Sequence, residues 1–345
     1  MREMYWIRRH HVSLHIFSLL RPKHSIMHQQ ALELLPYTRY SGWLTWDVIK
    51  AQLHYLMLKP LRYIRAMAKT IWQTYREPGV LGRAVAVFPK SVLFAREMER
   101  LEINHIHTHF VWIEGIAAGV ISDLLDVTFS ITPHAFGLFS RNQRDVRREL
   151  ENATKVVTIS SYHRSYIANL CPQIAEEDID VVHCGVETSE FCPVGMTDRH
   201  DKVRILSVGR LTEKKGFEYL LDACSRLAMQ GLDFQCQIVG GGALHDPLAR
   251  RIERHGLHDR VSLLGPLDQK RIVALYQQSD IFVLPCVVAP NGDRDGIPVV
   301  LMEAMACGIP VVTTPVTGIP DLVDDRENGL FVKQCDAVSL ADALT

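Results

Sequence analysis

VRILSVGRLTEKKGFEYL, residues 203–220, is the stretch on which the fold turns. Val203 to Val208 is a short apolar run with the composition of a buried strand, and the segment from Gly216 to Met229 spaces its apolar residues as a helix does. The loop between them carries Gly209, Arg210, Lys214 and Lys215. A strand that leaves through a loop and returns as a helix is the repeating unit of a parallel α/β layer. The same beat recurs at 234–239, 261–264, 281–285 and 309–313, with helical intervals between, so crossover connections are expected.

Upstream the alternation is less regular, with strand candidates at 12–18, 103–107, 127–132, 155–159 and 179–182. Residues 192–201 are polar, proline-bearing and without periodicity, as a linker is. A chain of 345 residues supports two cores. The expected fold is therefore α/β, with a Rossmann-like lobe over 1–194 and a second over 195–345, facing a central cleft.

The formal charge of −1 conceals an asymmetry: 22 Lys and Arg stand against 17 Asp and Glu through Asp180, and 16 against 22 beyond it. A total near zero and the lack of a recognised module argue against nucleic acid as partner. No strand leads into GxGxxG with an acid some twenty positions on, which disfavours a nicotinamide dehydrogenase. The eight cysteines form no CxxC pair and no zinc spacing, and read as small buried hydrophobes of a reducing compartment. No run of eighteen uncharged apolar residues occurs, and Arg2, Arg8 and Arg9 follow Met1 without an apolar secretory core, so the expected location is cytoplasmic.

Residues 42–76 differ from the rest. Trp43, Trp46, Tyr55, Tyr63, Trp72 and Tyr75 interleave with Lys50, Lys59, Arg62, Arg65, Lys69 and Arg76 against one acid, Asp47. Two readings stay open: a helix pair lying on an anionic membrane surface as a peripheral contact, or aromatics packed inward beneath solvated charges.

The chemistry concentrates in DGIPVVLMEAMACGIP, residues 295–310. Gly296 is read as permitting an unusual backbone angle, Pro298 as the first turn of a helix, and Gly308 as its stop. A helix N-terminus delivered by such a loop, Gly296–Ile297–Pro298–Val299, offers free amides to phosphate or sugar. Asp295 and Glu303 lie eight residues apart, roughly 12 Å along a helix, and the Glu303 carboxylate suits the vicinal hydroxyls of a ribose. Its alternative role is an ordinary ion pair. Arg210 and Lys215 converge on one strand-to-helix loop, where a diphosphate is neutralised; the alternative is a solvated helix start at Lys214 and Lys215.

Gly240 to Gly242 follow a strand but fit neither GxGxxG nor the P-loop spacing. In the first half His134 ends a strand in a loop, either facing the cleft or merely structural. His105, His107 and His109 share one face of a strand, but without a carboxylate or cysteine cluster in the nearby sequence no metal is expected there.

Together the acidic pair at Asp295 and Glu303, the GlyArgLeu of 209–211 with Lys215 and Gly216, and the HisCysGlyVal of 183–186 resemble retaining glycosyltransferases of family 4, which have the two-lobed GT-B fold. The resemblance covers most of the chain and is strongest over 203–332. The wording of 295–305 and the HisThrHisPhe of 107–110 are similar to the colanic acid and exopolysaccharide subgroup. The resemblance implies that Arg210 and Lys215 bind the donor diphosphate, Glu303 the ribose and Asp295 the sugar hydroxyls. Gly296 to Val299 would bind sugar and phosphate through their amides, and His134 would stand beside the donor sugar. Gly209, Gly240, Leu264 and Gly265 complete the implied donor site, with backbone near the last two choosing the base.

Asp295 stands where most of the family has glutamate, a side chain shorter by one methylene, roughly 1.5 Å. Family members open with a strand and continue at the other end through further helices, so the pattern implies a chain truncated at both ends.

The implied reaction moves a hexosyl unit from a UDP- or GDP-sugar to a hydroxyl of a lipid-linked or saccharide acceptor, with retention. It needs no cofactor and no metal if Arg210 and Lys215 supply the charge. Two alternatives remain: a sugar-nucleotide 2-epimerase of the same fold, which needs no acceptor, and an inactive nucleotide-sugar-binding protein, which shows no turnover.

Overall fold

The computed structural model describes residues 2–21, 29–194 and 202–345. Most of the stretch read as a linker, 195–201, and the leading Met1 lie outside the described residues. The chain gathers into two compact units, one of residues 1–157 with 168–180, the other of residues 158–167 with 181–345. Residues 158–167 count with the second unit because they are tied to it: the Ser161 amide donates to the Asp321 carboxylate at 2.5 Å, and the His183 ring meets the Ile159 carbonyl at 3.0 Å.

In the first unit β1 (Ile16–Ser18) pairs in parallel with β2 (Thr38–Tyr40), a strand with no apolar run to announce it. A four-stranded sheet follows, ordered β3 (His105–His109), β4 (Thr128–Thr132), β5 (Lys155–Thr158) and β6 (Ile179–Val181). Each lies at or near a strand expected from the sequence, and β3 with β4 and β4 with β5 run parallel. Ile106, Phe129, Ile131, Val156 and Ile179 fill the core from these strands.

Helices Trp46–Leu58, Pro60–Thr74 and Ile113–Leu125 gather around the long helix Pro78–Arg100. Among the described residues that long helix is the one with the length and apolarity to cross a membrane. Its apolarity has a local use, since Val80, Ala84 and Val87 are buried against Ile113, Ile116 and Ala117.

The second unit is built on six strands: β7 (Val203–Val208), β8 (Phe234–Val239), β9 (Val261–Gly265), β10 (Ile281–Leu284), β11 (Val311–Thr313) and β12 (Gly329–Phe331). Their order across the sheet is β12-β11-β10-β7-β8-β9. Counted from β7 this is 3-2-1-4-5-6 in reverse, the doubly wound Rossmann order. Strand β12, three residues long, is the one the sequence reading passed over.

Helix Phe217–Met229 buries Phe217, Leu220, Leu221 and Leu227 in the core shared with Ile205, Ile238 and Phe282. Each such side chain contributes about 1.5–3 kcal/mol when removed from water. All eight cysteines are free; Cys171, Cys224, Cys236, Cys286 and Cys307 are buried, whereas Cys335 is exposed.

Candidate functional site

Strand β7 pairs in parallel with β8 on one side and β10 on the other. The chain winds outward from β7 in both directions, so its carboxyl end and that of β10 form a topological switch point, where open α/β sheets bind ligands. The loops that leave these strands hold most of the residues singled out by sequence.

Glycine lets the loops close on one another. The Gly209 amide donates to Val239 at 2.9 Å and the Gly240 amide to Gly265 at 3.0 Å, drawing the ends of β7, β8 and β9 together, with Leu264 half-buried beside them. Gly240 has φ +142°, and a Cβ there would lie 1.9 Å from the Gly209 carbonyl oxygen. The weakly signalled glycine run is therefore a steric requirement of the site.

Gly216 caps the turn Glu213–Lys215 at φ +66°, and its Cβ would lie 1.9 Å from the Pro285 oxygen. The close pass lets the Val287 amide reach the Lys214 carbonyl at 2.9 Å, joining the loop after β7 to the loop after β10.

Lys214 and Lys215 are only 4% and 8% exposed, so they are not a solvated helix start. Burial of an ammonium demands a partner. Lys214 Nζ meets Asp293 at 3.0 Å and Asp295 at 3.5 Å, and Lys215 Nζ meets Asp295 at 2.7 Å. Burial pushes up the pKa of the Cys286 thiol, whose Sγ is 3.6 Å from Asp295. Arg210, just past β7, is exposed, and its guanidinium makes no ion pair among the described residues. The two buried ammoniums are balanced by two carboxylates; Arg210 is the surplus cation.

The segment 295–303 departs from its reading in two respects. The helix runs Val299–Ala306 with Pro298 at its N-cap rather than in its first turn. Asp295 therefore sits in the preceding loop, and the helical distance to Glu303 does not apply. Gly296 is also absent from the left-handed region. Its need is space: a Cβ would lie 2.7 Å from His163 Cε1 and 3.0 Å from Ile159 Cδ1. The N-terminus of the helix has no side-chain cap, which leaves its first amides to the loop side.

Sequence reading missed the side chains that hold this loop and helix. Thr317, at φ +51°, places its hydroxyl against the Asp295 carbonyl and 2.9 Å from that of Gly296. Tyr276 is fully buried, and its hydroxyl donates to Glu303 at 3.2 Å while standing 3.1 Å from the Val300 carbonyl. Burial, then the Glu303 charge, raises the phenol pKa, so it remains a donor. A polar atom at the tip of a core tyrosine has to find a partner, a signal legible in principle but without an address.

In the first unit the face-sharing histidines appear as expected. His105 meets Thr128 and Ser130 at 2.8 Å, and His107 meets Ser130 at 2.8 Å and Thr132 at 3.2 Å. His134 stacks on His109, with Nε2 3.2 Å from His109 Nδ1. Burial, with His109 and His107 nearby, pulls its pKa down to about 4. The carboxylate that the nearby sequence lacks is supplied in space: Glu3, remote in sequence, lies 3.2 Å from His109, and its carboxylate, His107 and His109 offer ligand atoms within 4.8 Å of one another, against the expectation of no metal cluster there. His134 belongs to the first unit and the other candidate residues to the second.

Parallel sheets in two lobes, with charged and glycine-walled loops at a switch point, define the GT-B class. Sucrose-phosphate synthase of Thermosynechococcus elongatus matches at a TM-score of 0.66 and 24% identity, over 76% of this chain and 68% of that one. Anabaena HepE, solved with UDP and glucose, matches at 0.60 and 20%, over 72% and 70%.

Residues 196–345 match the model of glycosyl transferases group 1, and residues 58–190 that of glycosyltransferase family 4. The chain thus carries a glycosyltransferase domain match in each half, family 4 in the first and group 1 in the second. It is 41% identical over 174 residues to WcaL of Escherichia coli, assigned to colanic acid biosynthesis, covering 50% of this chain and 42% of that protein. It is 38% identical over 208 residues to the amylovoran biosynthesis glycosyltransferase AmsK of Erwinia amylovora, covering 60% and 50%. The chain spans about half the length of the curated relatives it matches.

Proposed function

We propose that the second unit binds a nucleoside-diphosphate sugar, UDP- or GDP-linked, and that the protein transfers its hexosyl unit with retention to an acceptor hydroxyl. The observation that carries this reading is the pair of buried lysines at the switch point, locked to Asp293 and Asp295 beside the surplus cation Arg210. Arg210 and Lys215 take the diphosphate, Glu303 the ribose, and Asp295 with the amides of 296–299 the sugar. Gly209, Gly240, Leu264 and Gly265 wall the nucleoside side.

In the reaction the bond from the sugar anomeric carbon to the diphosphate oxygen breaks, and one to the acceptor oxygen forms on the same face. The acceptor proton leaves with the diphosphate, whose developing charge the fixed cations stabilise. His134 enters through the family resemblance alone, as a neutral ring beside the sugar. WcaL and AmsK are named for colanic acid and amylovoran biosynthesis, which supports a role in exopolysaccharide synthesis; we take the acceptor as lipid-linked or saccharide and the protein as cytoplasmic, at the inner membrane face.

Calorimetry with UDP, GDP and ADP tests the donor site. Micromolar binding of one nucleotide is expected, weakened at least about tenfold in Arg210→Ala and Glu303→Ala, the effect of losing one charged contact. A folded sample that binds none of the three overturns the assignment. Turnover that requires an acceptor separates a transferase from an epimerase.

A further inference from the structure

We infer that helices Trp46–Leu58 and Pro60–Thr74 form a docking face for an anionic lipid bilayer, into which their outward side chains insert. Both helices are apolar on two sides, which packing against one core does not require. On the first, Val48, Ala51 and Tyr55 are buried, whereas Trp46, Leu53 and Met57 are 76%, 53% and 78% exposed. At about 100° per residue these three and Lys50 fall within an arc of roughly 60°.

On the second, Tyr63, Ala66, Thr70 and Thr74 are buried, while Leu61, Ile64 and Trp72 are 82%, 59% and 60% exposed. These three and Arg65 fall within roughly 100°. Ala68, Ile71, Trp72 and Tyr75 also line an open apolar groove of about 370 Å³. Side chains this large, clustered and uncovered mark an interaction surface. The two readings of residues 42–76 thus divide by residue: Tyr55 and Tyr63 pack inward, and Trp46 and Trp72 point out.

Charge selects the partner. Lys59 and Lys69 are committed to Glu99 at 2.6 Å and Asp123 at 2.9 Å, and Arg62 to Asp126 at 3.1 Å. Lys50, Arg65 and Arg76 have no acidic partner among the described residues, and Asp47 is the one acid between 42 and 76. Basic side chains bordering exposed Trp and Leu match a surface with anionic headgroups over hydrocarbon: the charged ends stay with the phosphates while their stems and the apolar side chains sink. A protein partner would have to be uniformly acidic around an apolar centre.

The experiment is flotation of the full chain with vesicles of phosphatidylcholine alone or mixed equally with phosphatidylglycerol. Binding to the mixed vesicles is expected, and it weakens by about tenfold or more on neutral vesicles and in Lys50→Glu with Arg65→Glu. Leu53→Glu with Met57→Glu abolishes it. All four positions are exposed, so both variants keep the wild-type melting temperature. Failure to float with anionic vesicles, or flotation unchanged in both variants, overturns the proposal. So does a stable dimer, seen by sedimentation, that the same substitutions dissolve in a protein that ignores lipid. Nucleotide calorimetry is unaffected by these variants, which keeps this test apart from that of the donor site.

Discussion

Two clusters of ionisable side chains, one in each unit, meet burial in opposite ways. Lys214, Lys215, Asp293 and Asp295 are held in opposite-sign pairs at 2.7–3.5 Å, and the pairing lets full charges persist in a poorly hydrated place. His107, His109 and His134 crowd rings of one kind together, and burial lowers the pKa of each. The first cluster keeps opposite charges paired; the rings of the second are turned towards the neutral form by burial, even with Glu3 beside His109, and offer hydrogen bonds and ring faces instead. Burial alone does not tell a charge-handling site from a packing one. The sign of the neighbours does.

The contrast breaks most severely at Gly216, which lets the charged cluster form. Gly216→Ala sets a Cβ 1.9 Å from a carbonyl oxygen at a left-handed φ, and a loss of roughly 3 kcal/mol or more is expected by denaturant titration. A melt like the wild type's would mean that the loops after β7 and β10 separate easily.

Lys215→Met leaves Asp295 with Lys214 alone, at 3.5 Å. A loss of about 2–3 kcal/mol follows from a half-paired buried carboxylate. Adding Asp295→Asn restores most of that stability in the same titration and leaves calorimetric nucleotide binding weak. If the double variant recovers binding as well, the lysine is structural only.

The histidine cluster is sharpened by pH. His134 has an ordinary pKa of 6.5 when unfolded and about 4 when folded, so the unfolded chain takes up its proton first on acidification. Its contribution is complete above 6.5 and is lost as pH falls from 6.5 towards 4, a decline of about 2 kcal/mol after allowance for partial exposure. His134→Gln removes that part of the acid decline in a melt series. A titration midpoint near 6.5 by NMR contradicts the packing described for the ring.

Smallest is Tyr276→Phe. Loss of the hydroxyl that positions Glu303 should weaken nucleotide binding about fivefold, equivalent to about 1 kcal/mol, with no change in secondary structure by circular dichroism. Unchanged affinity would show that Glu303 is held by its own helix.

The strands of the second unit, from 203–208 to 311–313, were legible because a strand buried on both faces is apolar throughout. The glycines and lysines at the ends of those strands were legible because loops at a switch point concentrate uncommon residue types. Strands β2 and β12 were not, since Thr38–Tyr40 and Gly329–Phe331 carry no β-branched apolar run, unlike the equally short β11. The sequence by itself thus determined the α/β class, the family and the loops that bear charge, all of which are written in local periodicity and motif spacing. Only the tertiary structure decided that Gly296 is glycine for the sake of His163, that Thr317 and Tyr276 hold the loop and Glu303, that Glu3 lies beside His109, and that Trp46 and Trp72 face outward while Tyr55 and Tyr63 do not. Each depends on a contact between residues distant in the chain or on which side of a helix meets the core, and local pattern carries neither.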